Sequence, residues 1–205
     1  MSSATFQIRN LPIGGDLILA PMSGYNDQPF RRLCREFGAA LTYTGLLAAN
    51  AILYGSQRSR EMLRFHPAEK PLVCQLFGSD EDAIVQAALT VESLGVDAVD
   101  INLGCPDPKI VKGGYGAALL NRPSQVERIV AHLVQALKVP VTGKIRLGWD
   151  DESRNYLDIA RILEDNGASL IAVHGRTAAQ GYRGEADWGA IAEVKQAVHV
   201  LSLIH

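Results

Sequence analysis

The residues best able to do chemistry sit at isolated polar positions at the ends of apolar runs. Asn102-Leu103-Gly104-Cys105-Pro106 carries a thiol out of the run Ala98-Val99-Asp100-Ile101-Asn102 on a Gly-Cys-Pro turn. An ordinary thiol, with a pKa near ~8.5, is mostly protonated at neutral pH. Cys105 can therefore serve as a positioned proton donor, as a nucleophile beside a cation, or as a small apolar residue in a tight loop. Lys144, in Val141-Thr142-Gly143-Lys144-Ile145, reads either as a Schiff-base lysine or as a fixed cation beside an anionic ligand, because lysine seldom lies in a packed core. His174 precedes Gly175 and Arg176. It is either a satisfied structural histidine or, with Arg176, a pair suited to an anionic or hydrogen-bonding ligand. Gln75 lies within Leu72-Val73-Cys74-Gln75-Leu76. Cys34 and Cys74 read as core residues, Arg146 as a rim residue, and Arg31 with Arg35 as a solvated helix face. No His/Cys/Asp/Glu group has metal-ligand spacing, so no metal is expected.

These residues need elements that bring them together. Leu17–Ala20, Ala40–Tyr43, Leu72–Leu76, Ala98–Asn102, Val141–Ile145 and Leu170–His174 are short, apolar and bounded by Gly, Pro or polar residues. They read as strands buried on both faces of a parallel sheet. Helix punctuation separates them. Asp27 with Pro29 opens a helix that Gly38 ends, Ser79-Asp80 opens one that Gly95 ends, and Asn121 with Pro123 opens the next. Ser153 to Asn166 and Asp187 to Ala197 repeat the pattern. Gln75, Asn102, Lys144 and His174 fall on, or at the C-terminal ends of, successive strands, which is the ligand face of a (β/α)8 barrel. The first strand–helix turn, Ala20-Pro21-Met22-Ser23-Gly24-Tyr25, lacks Gly-x-Gly-x-x-Gly, so an open dinucleotide-binding sheet is the weaker reading. Lys109 to Gly116, rich in glycine, reads as a lid.

Taken in order, these stretches resemble the tRNA-dihydrouridine synthases. The resemblance rests on Leu19-Ala20-Pro21-Met22-Ser23-Gly24 with Asp27-Gln28-Pro29-Phe30-Arg31, and on Gln75-Leu76-Phe77-Gly78-Ser79. It extends through Asp100-Ile101-Asn102-Leu103-Gly104-Cys105-Pro106, Gly143-Lys144-Ile145-Arg146-Leu147-Gly148-Trp149 and Val173-His174-Gly175-Arg176-Thr177. It implies a TIM barrel that binds FMN and, with NADPH as reductant, reduces the C5=C6 bond of selected tRNA uridines. Pro21, Met22, Ser23, Gln75, Lys144 and His174 would then face the flavin. Asn102 and Arg176 would face the substrate, and Cys105 would be the catalytic acid. The expected setting is cytoplasmic and monomeric, with tRNA as partner. Tyr25-Asn26 departs from the family's usual pair and bears on substrate fit. The rival readings are a dihydroorotate dehydrogenase-like barrel acting on a free pyrimidine, a Schiff-base lyase using Lys144, and a non-catalytic RNA-binding relic.

The 205 residues carry 20 Lys+Arg against 22 Asp+Glu, for a net charge of -2, with 47% hydrophobic residues and 19 glycines. That composition excludes a disordered chain, a collagen-like repeat and a coiled coil, and it offers no overall basic field for nucleic acid. No apolar run reaches the roughly 20 residues of a membrane span. Three dispersed cysteines suit reduced thiols. A (β/α)8 barrel needs about 250 residues, so the α/β barrel is expected to be truncated at about its seventh strand. Residues 1–200 are then a partial FMN-binding barrel and 201–205 a non-native tail, with the family's helical tRNA-binding domain absent. Unpaired edges, low solubility, weak flavin binding and an inactive fragment are the corresponding expectations.

Overall fold

Alternation along each strand decides which face of the sheet a residue occupies. In the structure, a computed structural model that describes residues 6–204, this rule builds the site. Strands β5 (Leu72–Phe77), β6 (Ala98–Leu103), β7 (Val141–Arg146) and β8 (Leu170–His174) run parallel and adjacent. Cys74, Leu76, Val99, Ile101, Leu103, Val141, Ile145, Ile171 and Val173 belong to the core between sheet and helices. The intervening Gln75, Asp100, Asn102, Thr142, Lys144, Arg146 and His174 therefore share the opposite, concave face. Register lines them up in rows. Gln75 pairs with Asp100 and Asp100 with Thr142, Asn102 pairs with Lys144, and Arg146 pairs with His174.

The sheet has seven strands in the order β3-β5-β6-β7-β8-β9, where β3 is Thr42–Tyr43 and β9 is Leu201–Ile204. Strand β4 (Leu47–Ala48) pairs with the far half of β5. All pairings within it are parallel, and the sheet curls into a half-barrel, the α/β class expected. Leu17–Ala20, expected as a strand, contributes a single bridge from Ile18 to Leu41. Leu201–Ile204 continues the sheet in register with Leu170–Val173. An antiparallel hairpin of β1 (Phe6–Ile8) and β2 (Leu11–Ile13), too short to stand out by periodicity, was not expected. Its Ile8 and Ile13 pack with Leu41, Val73, Ala98 and Leu170, the early residues of the strands, and so close the N-terminal end of the sheet.

Helices cover the convex face, with the short Gln57–Met62 and Pro108–Val111 set in the connections beside the strand ends. They are α1 (Gln28–Glu36), the short α2 (Ala49–Leu53) and α3 (Gln57–Met62), α4 (Glu81–Ser93), the single-turn α5 (Pro108–Val111), α6 (Pro123–Ala136), α7 (Tyr156–Asp165) and α8 (Trp188–Ala197). Two of the expected caps are present, whereas Asn121 ends the preceding 3-10 helix and α6 starts from Arg122 with no side-chain cap. Phe30 N donates to Asp27 at 2.9 Å, and Ala83 N donates to Asp80 at 2.8 Å. Helices α4, α6, α7 and α8 pack successively side by side. Gly143 lets α7 approach, since a Cβ there would lie 3.0 Å from Leu163. The segment read as a lid is built as α5, capped by Asp107, followed by a 3-10 helix over Gly116–Asn121. Gly116 (φ +60) passes so close to the Cys105 carbonyl that a Cβ would meet it at 2.7 Å. Among the described residues no helix is long and apolar enough to cross a membrane.

Candidate active site

The C-terminal ends of the strands open into a cleft of about 420 Å³. Pro21, Met22 and Ser23 form one wall, Gln75 and Lys144 lie at the floor, and Cys105, Arg146 and His174 complete the lining. The structure thus gathers seven of the expected residues around one space. Met22 O accepts from the amides of Tyr25 and Asn26, folding that wall into a turn. Asn26, buried behind it, donates through Nδ2 to Ala20 O and Tyr43 O, both at 2.9 Å. A second cleft reaches Cys105 from the side of Ser56, Arg58 and Lys109, so the thiol stands where two openings meet.

Asn102 lies under the cleft, 7% exposed, and its amide is engaged at both ends. Nδ2 donates to Gln75 Oε1 at 2.9 Å, while Oδ1 accepts from Cys105 N at 2.9 Å and from Gly104 N at 3.2 Å. Gln75 Nε2 in turn donates to Asp100 Oδ2 at 2.7 Å, and Thr142 Oγ1 donates to Asp100 Oδ1 at 2.5 Å. Asp100 is fully buried. Desolvation pushes its carboxyl up to about 6, against the hydrogen bonds from Thr142 and Gln75 and the charge of Lys144. Desolvation also brings the Lys144 ammonium down to about 8, while Asp100 opposes that shift. Burial raises the Cys105 thiol above its usual range. The cleft therefore holds a protonated thiol and, near neutral pH, a cation that is easily discharged.

Three arginines are placed differently from expectation. Arg146, read as a rim residue, is 3% exposed. Its Nε donates to Gly104 O at 2.8 Å, and its Nη1 donates to Thr177 O at 2.9 Å and Gly181 O at 2.8 Å. It ties the cysteine turn to the loop after β8 and stacks against Tyr182, 5.6 Å from the ring centroid. Arg31, read as solvated, is wholly buried and pairs with buried Glu69 at 2.7 Å. It also donates to Asn26 O and Arg64 O, bracing the residue behind the Pro21–Ser23 wall. Arg176 does not line the cleft. It donates to Gly184 O and Arg183 O, and its Nη1 lies 3.2 Å from His174 Nε2. Cys34, read as core, is only half-buried. Asp100 and Thr142 were passed over in the sequence. A lone carboxylate inside Ala98-Val99-Asp100-Ile101 is the signal that would have found them, because an unpaired buried carboxylate is rare. Among the described residues no cluster of His, Cys, Asp and Glu is arranged to hold a metal ion.

A parallel half-barrel that gathers thiol, ammonium, amide and imidazole beyond its strand ends is the site-bearing end of a TIM-barrel-type protein. In agreement, the chain superposes on a solved structure of histamine dehydrogenase from Rhizobium sp. 4-9 with a TM-score of 0.70 at 12% identity, covering 97% of this chain and 41% of that one. The dihydrouridine synthase (Dus) family model matches residues 18–205. The chain belongs to the dihydrouridine synthase family. It is 43% identical over 184 residues to tRNA-dihydrouridine synthase B of Pseudomonas syringae pv. tomato, covering 90% of this chain and 55% of that protein. It is 39% identical over 195 residues to a probable tRNA-dihydrouridine synthase of Rickettsia bellii, covering 95% of this chain and 60% of that protein. The chain thus spans a little over half the length of these relatives.

Proposed function

We propose that this chain carries the catalytic face of an enzyme that reduces the C5=C6 bond of tRNA uridines to 5,6-dihydrouridine with FMN and NADPH. The observation that carries the reading is the Cys105 thiol, held protonated by burial at a cleft it shares with Gln75, Lys144 and His174. The residues fit a flavin. The cleft's size lies within the roughly 300–1,000 Å³ of small-molecule sites, and its floor offers an ammonium and an amide. Pro21, Met22 and Ser23 would lie along the flavin, with Gln75, Lys144 and His174 as its polar partners. Bound FMN, replenished by NADPH, would supply hydride to C6 of the uracil ring.

The chain's own residues do the rest. Cys105 Sγ would give a proton to C5, a task that requires a thiol and not a thiolate at working pH. Lys144 would stabilise negative charge gathering nearby in the cleft. One Asn102 amide hydrogen remains for the base, and Arg176 would act through the loop it ties down. The target uridine must leave its stack to reach the cleft. Three free cysteines suit a reducing, cytoplasmic setting. The lowered Lys144 is also suited to Schiff-base chemistry, which borohydride trapping would reveal.

The deciding experiment replaces Cys105 with alanine in a protein that carries this chain at the full length of its relatives. NADPH-dependent bleaching of flavin absorbance should survive, while dihydrouridine formation falls by about two to four orders of magnitude, the usual worth of a general acid. Unchanged uridine turnover would remove Cys105 as the acid.

A further inference from the structure

Every amide in the cleft floor has its orientation dictated by its neighbour, and the sequence of constraints begins at Asp100. An ionised carboxylate can only accept hydrogen bonds. Gln75 must therefore turn Nε2 toward Asp100, as it does at 2.7 Å, which leaves Oε1 facing Asn102. Asn102 must answer with Nδ2, at 2.9 Å, which turns its Oδ1 toward the cysteine turn. That oxygen accepts the amide hydrogens of Gly104 and Cys105. Gln75 and Asp100 are buried and Asn102 nearly so, so solvent cannot substitute for a broken link. Thr142 occupies the second carboxylate oxygen.

We propose that Asp100 is a positioning residue for Cys105, acting through Gln75 and Asn102 to hold the thiol-bearing turn in place. Asp100 does not line the cleft and touches no reacting atom. The proposal deepens the proposed function, since it rests on Cys105 being the group whose placement counts. Its geometry, however, can be tested without cofactor or RNA.

The experiment is iodoacetamide labelling of the 205-residue chain, with the rate at each cysteine read by peptide mass spectrometry. Asp100→Ala should speed Cys105 labelling about fivefold, the factor an ordinary net hydrogen bond is worth, with no change at fully buried Cys74. Asp100→Asn should restore the native rate. Its amide oxygen can face Gln75 while its NH₂ faces the Thr142 hydroxyl, which accepts as readily as it donates. A merely structural role would loosen Cys74 in step and would not separate alanine from asparagine. If Asp100→Ala does not fold, Gln75→Met, which cuts the relay at its middle, should give the same selective rise at Cys105. The proposal is overturned by an unchanged Cys105 rate in the cut variants, by a parallel rise at Cys74, or by an asparagine variant no slower than alanine. A failed uridine assay, by contrast, would leave the relay standing and remove only the functional reading.

Discussion

Cys105 has the chemistry of a proton donor because its surroundings keep the proton on. Burial penalises the thiolate, and the nearby charge of Asp107 adds to that penalty, while a backbone hydrogen bond at Asp107 and the charge of Arg146 oppose it without reversing it. A residue raised in this way should react with iodoacetamide along a pH profile whose midpoint lies above the ~8.5 of a free thiol. A midpoint at or below that value would mark Cys105 as an activated nucleophile instead. The individual residues were largely legible: Cys105, Lys144, Gln75, Asn102 and His174 all stand out as polar side chains at strand ends. Asp100 was not, although it lies two residues from Asn102. Its importance comes from facing Gln75 across β5 and Thr142 across β7, and a register between strands 25 and 42 residues apart cannot be seen from either strand alone.

At the scale of elements, arginines do the fastening. Arg146, two residues beyond Lys144 on β7, shares its face of the sheet, although from the sequence it reads as a rim residue. The structure resolves this by surrounding it with carbonyls from two loops. Lysine cannot replace a planar donor fork that spans three acceptors. Arg146→Lys should therefore release residues 177–184, with amide exchange there faster by about tenfold or more, given hydrogen bonds to a charged donor worth ~1.5–3 kcal/mol each. Unaltered exchange would show that the loop holds itself. Arg31 and Glu69 lie 38 residues apart in sequence, so their partnership was invisible before the fold was known. Breaking a buried pair strands a charge, and Glu69→Leu should lower stability by about 3–5 kcal/mol in urea unfolding. Changing both residues to leucine should be much less damaging than the sum of the single changes, and strict additivity would refute the pairing as the reason.

For the whole molecule, the alternation of short apolar strands and capped helices was enough to establish the parallel α/β architecture, since those signals are local. The closing hairpin of β1 and β2 was not legible because three-residue strands carry no periodicity, and its worth lies in covering strand ends far along the chain. What the fold gives up for its site is a carboxylate and an ammonium drawn inside the curled sheet, and that concession has a measurable pH signature. Asp100 has a folded pKa of about 6 against 3.8 for the unfolded chain. Between those values the folded state binds more protons than the unfolded state, so stability falls as pH rises. The contribution is fully present below pH 4 and is lost once pH passes about 6. Asp100→Asn removes the titration while keeping the shape. Measured by urea unfolding from pH 4 to pH 7, the asparagine variant should therefore gain about 2–3 kcal/mol on the native chain, as the size of the shift requires. Most of the gain should fall between pH 4 and 6. A gap that stays constant across that range would mean that Asp100 is ionised throughout, with Lys144 and its hydrogen bonds compensating its burial in full.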